Sequence, residues 1–288
     1  MNKFFVSVDI GGTKISLCFF KQNTIIKKKK FTTYNFGPSN LTHIRNYLKN
    51  NFNNITKIGI ATTGLIYKNN WSVLNKKMIG SFENFPIVDF FRKDMKIPTF
   101  AIGDTHAASL GELHYGNGRK LKNFFYITVS TGIGGSGVIN GNVLNSSQKI
   151  VGQIGHTVIK NNGKLCGCGR KGCLEAYSSG TAIEKKINQK LKLNLSLKEI
   201  IKYHNKNKFV IDTLNDATLL LSESIINIHN ILGINNFIIG GSVGLNDIFF
   251  KKLNLFTFKK NNEIKLIKAG LRNNAESYGC LAYSKLKK

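Results

Sequence analysis

The sequence contains no apolar run approaching the roughly 20 residues that a helix needs to cross a bilayer, which argues against a helical membrane protein. Its N-terminus enters a strand-like pattern at once, without the charged, apolar and small-residue succession of a secretory leader, so a cytoplasmic protein is expected. Cysteine is sparse, five in 288 residues. Three of the five share one short segment, and the others, Cys18 and Cys280, stand in apolar company that fits a reducing compartment. Acidic residues are few beside basic ones: 15 Asp and Glu against 42 Lys and Arg give a formal charge of +27. Such an excess is the usual footprint of nucleic-acid binding. Here the lysines are spread along the chain with asparagine and isoleucine, as in NTIIKKKK and YHNKNKF, the composition that A+T-rich coding leaves on any protein. No recognition helix, RNA-binding signature or aromatic-interleaved basic stretch concentrates them, so nucleic acid is not an expected partner and the charge bears on solubility. With 42% hydrophobic residues the chain can bury an ordinary core, as one large domain or two modest ones.

The most informative stretch runs from Gly152 to Glu175, GQIGHTVIKNNGKLCGCGRKGCLE. His156, Cys166, Cys168 and Cys173 are threaded among glycines there. Four N/S donors on a loop flexible enough to turn inward over so short a span are suited to a tetrahedral Zn2+ of the Cys3His kind. A disulfide would leave one of the three cysteines over, and Cys166 with Cys168 is a poor pair for bridging. A closed four-ligand site keeps no open position for chemistry, so the metal is read as a brace. Gln153 and Glu175 give the same loop polar groups that need not be ligands.

Residues 4–20 form two β-branched and aromatic runs broken by Gly11 and Gly12, the pattern of strand, tight turn and antiparallel strand. Asp9 ends the first run. A carboxylate followed by two glycines and Thr13 sets a metal-attracting group beside bare backbone N–H groups and a hydroxyl, as an Mg-bound phosphate requires; a plain hairpin turn is the alternative. A basic third strand follows near Thr24–Thr33, and Leu41, Ile44, Leu48 and Phe52 are spaced as one helix face. Lys57–Gly64 reads as a buried strand opening into a Thr63–Gly64 loop. Residues 65–85 have weak periodicity and read as loop, with Trp71, Phe82 and Phe85 packing; Pro86 suits the first position of a helix.

Pro98–Asp104 reads as a strand ending on a carboxylate, and a helix with Thr105 near its cap follows. Asp104 therefore stands at a strand's carboxyl end, where α/β folds place their chemistry, although capping that helix would use it equally well. His106 and His114 read as surface residues of the helix. Phe124–Gly137 repeats the opening grammar, with Thr131, Gly132, Gly134 and Gly135 between two strands, so an internal duplication with two phosphate-binding turns is expected. Helical spacing recurs at Thr181–Leu191, Ser196–Tyr203, Asp212–Leu232 and Ala275–Leu286, and strands are expected at Asn236–Gly244 and Ile264–Ala269.

The succession DIGGTK, ATTG, GDTHAA, VSTGIGG, GQIGH, CGCGRKGCLEA and IIGGSVG resembles the ROK family (repressor, open reading frame, kinase) across essentially the whole chain. The CGCG–GC run with its upstream GH is the most specific part of the likeness. The resemblance implies an α/β, actin-like ATPase (ribonuclease H-like) duplicated fold with two domains around a cleft. Residues 1–118 would form the first, with helix 275–288 packing back on it, and 119–274 the larger second domain carrying the metal loop. It implies a homodimer, ATP with Mg2+, structural Zn2+, and phosphorylation of a sugar 6-hydroxyl. The motifs resemble most the branch acting on N-acetylmannosamine. The chain starts at the first phosphate turn, which disfavours the repressor branch.

Carried onto this sequence, the resemblance makes Asp104 the general base. Asp9, Ile10, Gly11, Gly12, Thr13 and Lys14, with Thr131, Gly132, Gly134, Gly135 and Gly137, would hold the phosphates and Mg2+, and Gly240 and Gly241 would lie by the nucleoside. His156, Cys166, Cys168 and Cys173 would bind Zn2+, while Thr63, Gly64, Gln153, His156 and Glu175 would meet the sugar. The chain departs from the family at four places. Gly103 replaces an Asn before the base, Met78 aligns with a sugar-binding Asn, Gln153 replaces a Glu, and Asn274–Ala275–Glu276 replaces Asp-Ala-Gly. A kinase for N-acetylglucosamine or glucose, and a sugar-binding protein without catalysis, are the alternatives; the intact acids and glycine turns oppose the last.

Overall fold

The computed structural model describes residues 3–12, 14–32, 37–73, 82–145 and 151–286. The chain divides into two compact units, one of Met1–Arg119, Asn145–Val151 and Asn274–Lys288, the other of Lys120–Leu144 and Gly152–Asn273.

The first unit is built on a sheet of β1 (Phe4–Ile10), β2 (Lys14–Lys21), β3 (Thr24–Thr32), β4 (Ile55–Thr62) and β7 (Thr99–Gly103), in the order β3-β2-β1-β4-β7. β1, β2 and β3 are antiparallel, and β4 and β7 join β1 in parallel. β1 and β4 read as nearly continuous apolar runs because both faces are covered. The edge strand β3 is exposed and carries Lys27–Lys30, charges that discourage pairing with another chain. Helix α1 (Pro38–Asn51) buries Leu41, Ile44 and Leu48, the face that the spacing predicts, and begins on a proline whose missing N–H costs nothing there.

Residues 65–85 are more ordered than their weak periodicity suggests. β5 (Leu65–Tyr67) and β6 (Asn70–Ser72) form a hairpin too short to show alternation, and Trp71 bridges to Phe85. Trp71 is fully buried and stacks on Phe82 at 4.5 Å between centroids. Pro86 is the cap rather than the first residue of α2 (Ile87–Met95). Helix α3 (Asp104–Tyr115) starts on Asp104 with Gly103 as its cap, and His114 is exposed while His106 is half-buried. The final helix of the chain, α9 (Ala275–Leu286), crosses α3 with backbones in contact. A Cβ on Gly111 would strike the Ala275 carbonyl, and one on Gly279 the Ala107 carbonyl.

The second unit repeats this plan. β8 (Phe124–Val129), β9 (Ile133–Ile139), β10 (Asn142–Val143), β11 (Asn236–Gly240) and β12 (Lys265–Lys268) lie in the order β10-β9-β8-β11-β12. The first three pair antiparallel, and β11 and β12 join β8 in parallel. Its helices are α4 (Glu175–Ser178), α5 (Gly180–Leu191), α6 (Leu197–Tyr203), α7 (Lys208–Leu232) and α8 (Asp247–Lys260). α7 starts four residues before the Asp212 that spacing marks, because Asn207 caps it by accepting the N–H groups of Phe209 and Val210. Its buried face, Val210 to Ile225, packs with β8 and β11 in one core. No helix among the described residues is long and apolar enough to cross a membrane.

Candidate active site and metal centre

In the first unit the parallel pairing sets Ile10 opposite Thr62 and Thr62 opposite Gly103. Asp9, Thr63 and Asp104, each one residue from that row, therefore share the carboxyl end of the sheet, where strand ends leave backbone unpaired. Asp104 opens α3, and its Oδ1 accepts the Thr105 N–H at 2.7 Å. Burial raises Asp104 above the ordinary carboxylate value, and that hydrogen bond offsets part of the rise. Burial, then the negative charges of Glu276 and Asp104, push Asp9 well above the same value, with Lys14 pulling the other way. Glu276, in the first turn of α9, is raised to about 7 by burial, against its own backbone N–H, and by Asp104. As residues all three are half-buried. Three acids repelling one another beside the Lys14 ammonium are poised to accept either protons or a cation.

The Gly11 N–H donates to the Lys14 carbonyl at 3.0 Å, closing the first glycine turn, where a Cβ on Gly11 would press on that same oxygen. Beyond β4, the Thr63 carbonyl accepts the Trp71 indole N–H at 2.7 Å, and Gly64 takes φ +93°, its missing Cβ leaving room for the Ser72 carbonyl. The β5–β6 hairpin thus fixes the Thr63–Gly64 loop. Gly103 leaves space that His106 borders, its Nδ1 3.4 Å from where a Cβ would stand. Thr13 and Met78 lie outside the described residues.

In the second unit the turn Ser130–Gly132 joins β8 to β9, closed by the Ser130 N–H on the Gly132 carbonyl at 2.9 Å. Gly134, Gly135 and Gly137 lie within β9, opposite Thr128, Ile127 and Phe125. Gly135 and Gly137 have a packing reason to lack Cβ: one on Gly135 would stand 2.5 Å from the Phe125 ring, one on Gly137 2.6 Å from Leu144. Gly240 ends β11 against Tyr126, and Gly241, at φ +81°, has no room for a Cβ beside Val129 and Thr128. Val243 and Gly244 donate their N–H groups to the Val129 carbonyl at 3.0 Å, so the second and third glycine turns are joined.

The Cys/His loop carries His156 at the end of a short 3-10 turn capped by Gln153, then Cys166, Cys168 and Cys173. One ligand atom from each of the four lies within 4.8 Å of the others. His156 Nδ1 is 3.6 Å from Cys166 Sγ, and Cys168 Sγ is 3.8 Å from Cys173 Sγ. A tetrahedral ion with Zn–S near 2.3 Å and Zn–N near 2.05 Å would space sulfurs by about 3.8 Å and nitrogen from sulfur by about 3.6 Å. The donor set fits the ion. The loop is folded by the Val158–Cys173 and Leu165–Lys171 bridges, and Arg170 donates to the His156 carbonyl at 3.2 Å. Burial pushes the Cys166 thiol up to about 12; at Cys168 burial is outweighed by hydrogen bonds from the Arg170 N–H and the other two thiols, which lower it. Among the described residues all five cysteines are free thiols.

Glu175 begins α4 and directs Oε2 to the Ile133 N–H at 3.0 Å, a backbone contact that sequence spacing gives no sign of. Glu276 is the residue that reading for function misses. Its one signal is the departure at 274–276, where an acid replaces a glycine.

The chain matches the ROK family model over residues 5–286. It is 34% identical over 249 residues to an N-acetylmannosamine kinase from Haemophilus influenzae, covering 83% of this chain and 81% of that one. Among solved structures it resembles the ROK hexokinase of Thermus thermophilus, at 25% identity and a TM-score of 0.81 over 99% of both chains. A ROK-family glucokinase from Streptomyces griseus, solved with glucose and AMPPNP, shares the fold at 21% identity, with a TM-score of 0.83 over 96% of this chain and 97% of that one. The duplicated sheets, the glycine turns and the Cys/His loop are thus those of an actin-like α/β kinase fold, and the chain belongs to the ROK family.

Proposed function

We propose that this protein is a sugar kinase that transfers the γ-phosphoryl group of ATP to the 6-hydroxyl of N-acetylmannosamine. The observation that carries the reading is Asp104, an acid desolvated yet partly exposed at the carboxyl end of β7, in a chain 34% identical to an N-acetylmannosamine kinase. Asp104 would take the proton as the sugar oxygen forms its bond to phosphorus and the bond to ADP breaks; its raised affinity for protons makes it the stronger base. Asp9, with Lys14 and the turn at Gly11 and Gly12, would face Mg2+ and phosphate, as would Thr131, Gly132 and Gly134. Mg2+, when bound, would supply the positive charge that neutralises the transferring phosphoryl group. Gly240 and Gly241 would lie by the nucleoside.

Thr63, Gly64, Gln153, Glu175 and the His156 ring nitrogen turned away from the cysteines would meet the sugar. Zn2+, when bound, would brace the loop without taking part in the transfer. Positioning and charge neutralisation do most of the work in such reactions, which is why backbone amides predominate. A cytoplasmic homodimer completes the proposal.

The competing reading is a kinase for N-acetylglucosamine or glucose, and the likeness to a hexokinase supports a hexose as acceptor. The test is ADP release with N-acetylmannosamine, N-acetylglucosamine, mannose and glucose, each with Mg-ATP. The highest kcat/KM is expected for N-acetylmannosamine. A preference for glucose would move the substrate assignment to the hexokinase reading, and tight sugar binding with no ADP formed from any of the four would replace catalysis by sugar binding alone.

A further inference from the structure

Both flanks of the metal loop hold the start of β9. On the N-terminal side the Gly135 N–H donates to the Gly152 carbonyl at 3.0 Å, and Gly155 sits so close to the Ile133 carbonyl that a Cβ would collide with it. On the C-terminal side Glu175, two residues past Cys173, places Oε2 3.0 Å from the Ile133 nitrogen. It reaches there across Gly132, where a Cβ would stand 2.5 Å from that oxygen. One step further along the chain, the Gly180 N–H donates to the Ser130 carbonyl at 2.8 Å and the Thr181 N–H to the Thr131 carbonyl at 3.4 Å. Ser130 Oγ in turn lies 3.1 Å from Ser242 Oγ in the third glycine turn. Ser130, Thr131 and Ile133 of this turn are therefore each fastened through a backbone group to the segment that follows Cys173.

We infer that Glu175 is a positioning residue for the nucleotide: its carboxylate, seated by the metal loop, fixes the backbone of the Ser130–Ile133 turn, so that nucleotide affinity depends on both Glu175 and the ion. The inference rests on reading that turn as a phosphate clamp. The Ile133 N–H is committed to Glu175 and is not offered to a phosphate. Glu175 thus acts on the ligand through the geometry of Thr131 and Gly132. A carboxylate accepting a backbone N–H makes a charge-assisted bond, stronger than a neutral one, which suits it to hold a glycine-containing turn that would otherwise sample many conformations.

The sign of the effect separates positioning from mere charge. A carboxylate near phosphates repels them, so if charge alone mattered, both Glu175→Ala and Glu175→Gln would bind nucleotide more tightly. If positioning matters, Glu175→Ala weakens nucleotide binding while Glu175→Gln, whose amide oxygen still accepts the Ile133 N–H, retains it.

The experiment is calorimetric titration of the purified, zinc-replete protein with a non-hydrolysable ATP analogue and Mg2+, without sugar, alongside zinc content and unfolding temperature. Glu175→Ala is expected to bind about tenfold more weakly and Glu175→Gln to stay within about threefold of wild type. Glu175→Asp, whose shorter side chain withdraws the carboxylate from the Ile133 N–H while keeping its charge, should weaken binding likewise and serves should Glu175→Ala fail to fold. Chelating the zinc should weaken the wild type and leave folded Glu175→Ala no weaker than it already is. Undiminished nucleotide affinity in Glu175→Ala, with sugar affinity lost, would overturn the inference alone and leave Glu175 a sugar contact. A wild type that binds no nucleotide would overturn the kinase reading and this inference together.

Discussion

In the first sheet the residue before the end of the central strand is Asp9, and two helices of that unit, α3 and α9, each carry an acid in the first turn, Asp104 and Glu276. At the matching place in the second sheet stands Thr128, and the following turn is held by Glu175, just past the Cys/His loop. The strand order and directions are the same in both. What differs is what the sequence attaches to that common corner: desolvated acids in one unit, bare backbone and the Cys/His loop in the other. On the proposed reading both units hold phosphate and only the first removes a proton, because the sheet fixes where strand ends lie while the connections decide which groups stand there.

The comparison breaks most visibly at Asp104. Asp104→Asn should lower kcat by about 10²- to 10⁴-fold with zinc content, unfolding temperature and ATP-analogue affinity unchanged, measured by steady-state ADP release and titration. An unchanged kcat would remove the first sheet from the chemistry. In the second unit, Cys173→Ser should release the metal and lower stability by about 2–4 kcal/mol, seen as an unfolding temperature lower by roughly 5–10 °C. Zinc retained at wild-type level in that variant would contradict the four-ligand site.

The first sheet's other face should respond as packing alone. A Cβ on Gly59 would stand 2.6 Å from Phe100 and 2.9 Å from both Phe5 and Cys280. Gly59→Ala should therefore cost about 1–3 kcal/mol in denaturant unfolding while leaving KM values in place. The smallest effect belongs to Glu276, whose folded-state value near 7 exceeds the ordinary 4.5. A carboxyl group raised in the folded state stabilises fully below its unfolded value, and that contribution is lost as pH rises through about 7. Glu276→Gln should flatten the decline in stability between about pH 5 and pH 8 and add about 1 kcal/mol at the upper end, with partial exposure limiting the gain. Equal pH profiles for the two proteins would mean that neither burial nor the neighbouring acids raise Glu276 in the folded protein.

Much of this was legible in the sequence because it is local. Asp9 before Gly11 and Gly12, Asp104 at a strand end, and the His/Cys spacing all sit within short windows whose chemistry depends on neighbours in the chain. The helix faces followed from the 3.6-residue period, as at Leu41, Ile44 and Leu48. The β5–β6 hairpin was not legible, since three-residue strands carry no alternation to detect. Glu276 was also hidden: its importance comes from α9 lying against α3, a contact made possible by Gly111 and Gly279 far apart in the chain. The hold of Glu175 on Ile133 spans 42 residues and has no local trace.

The most direct test of proton removal by the first sheet is the phosphorus NMR spectrum of N-acetylmannosamine and Mg-ATP incubated with the wild-type protein and with Asp104→Asn side by side. The expected result is a sugar 6-phosphate ester and an equal amount of ADP with the wild type, and next to none of either with the variant. Free phosphate without ester, or ester formed equally by both proteins, would contradict it.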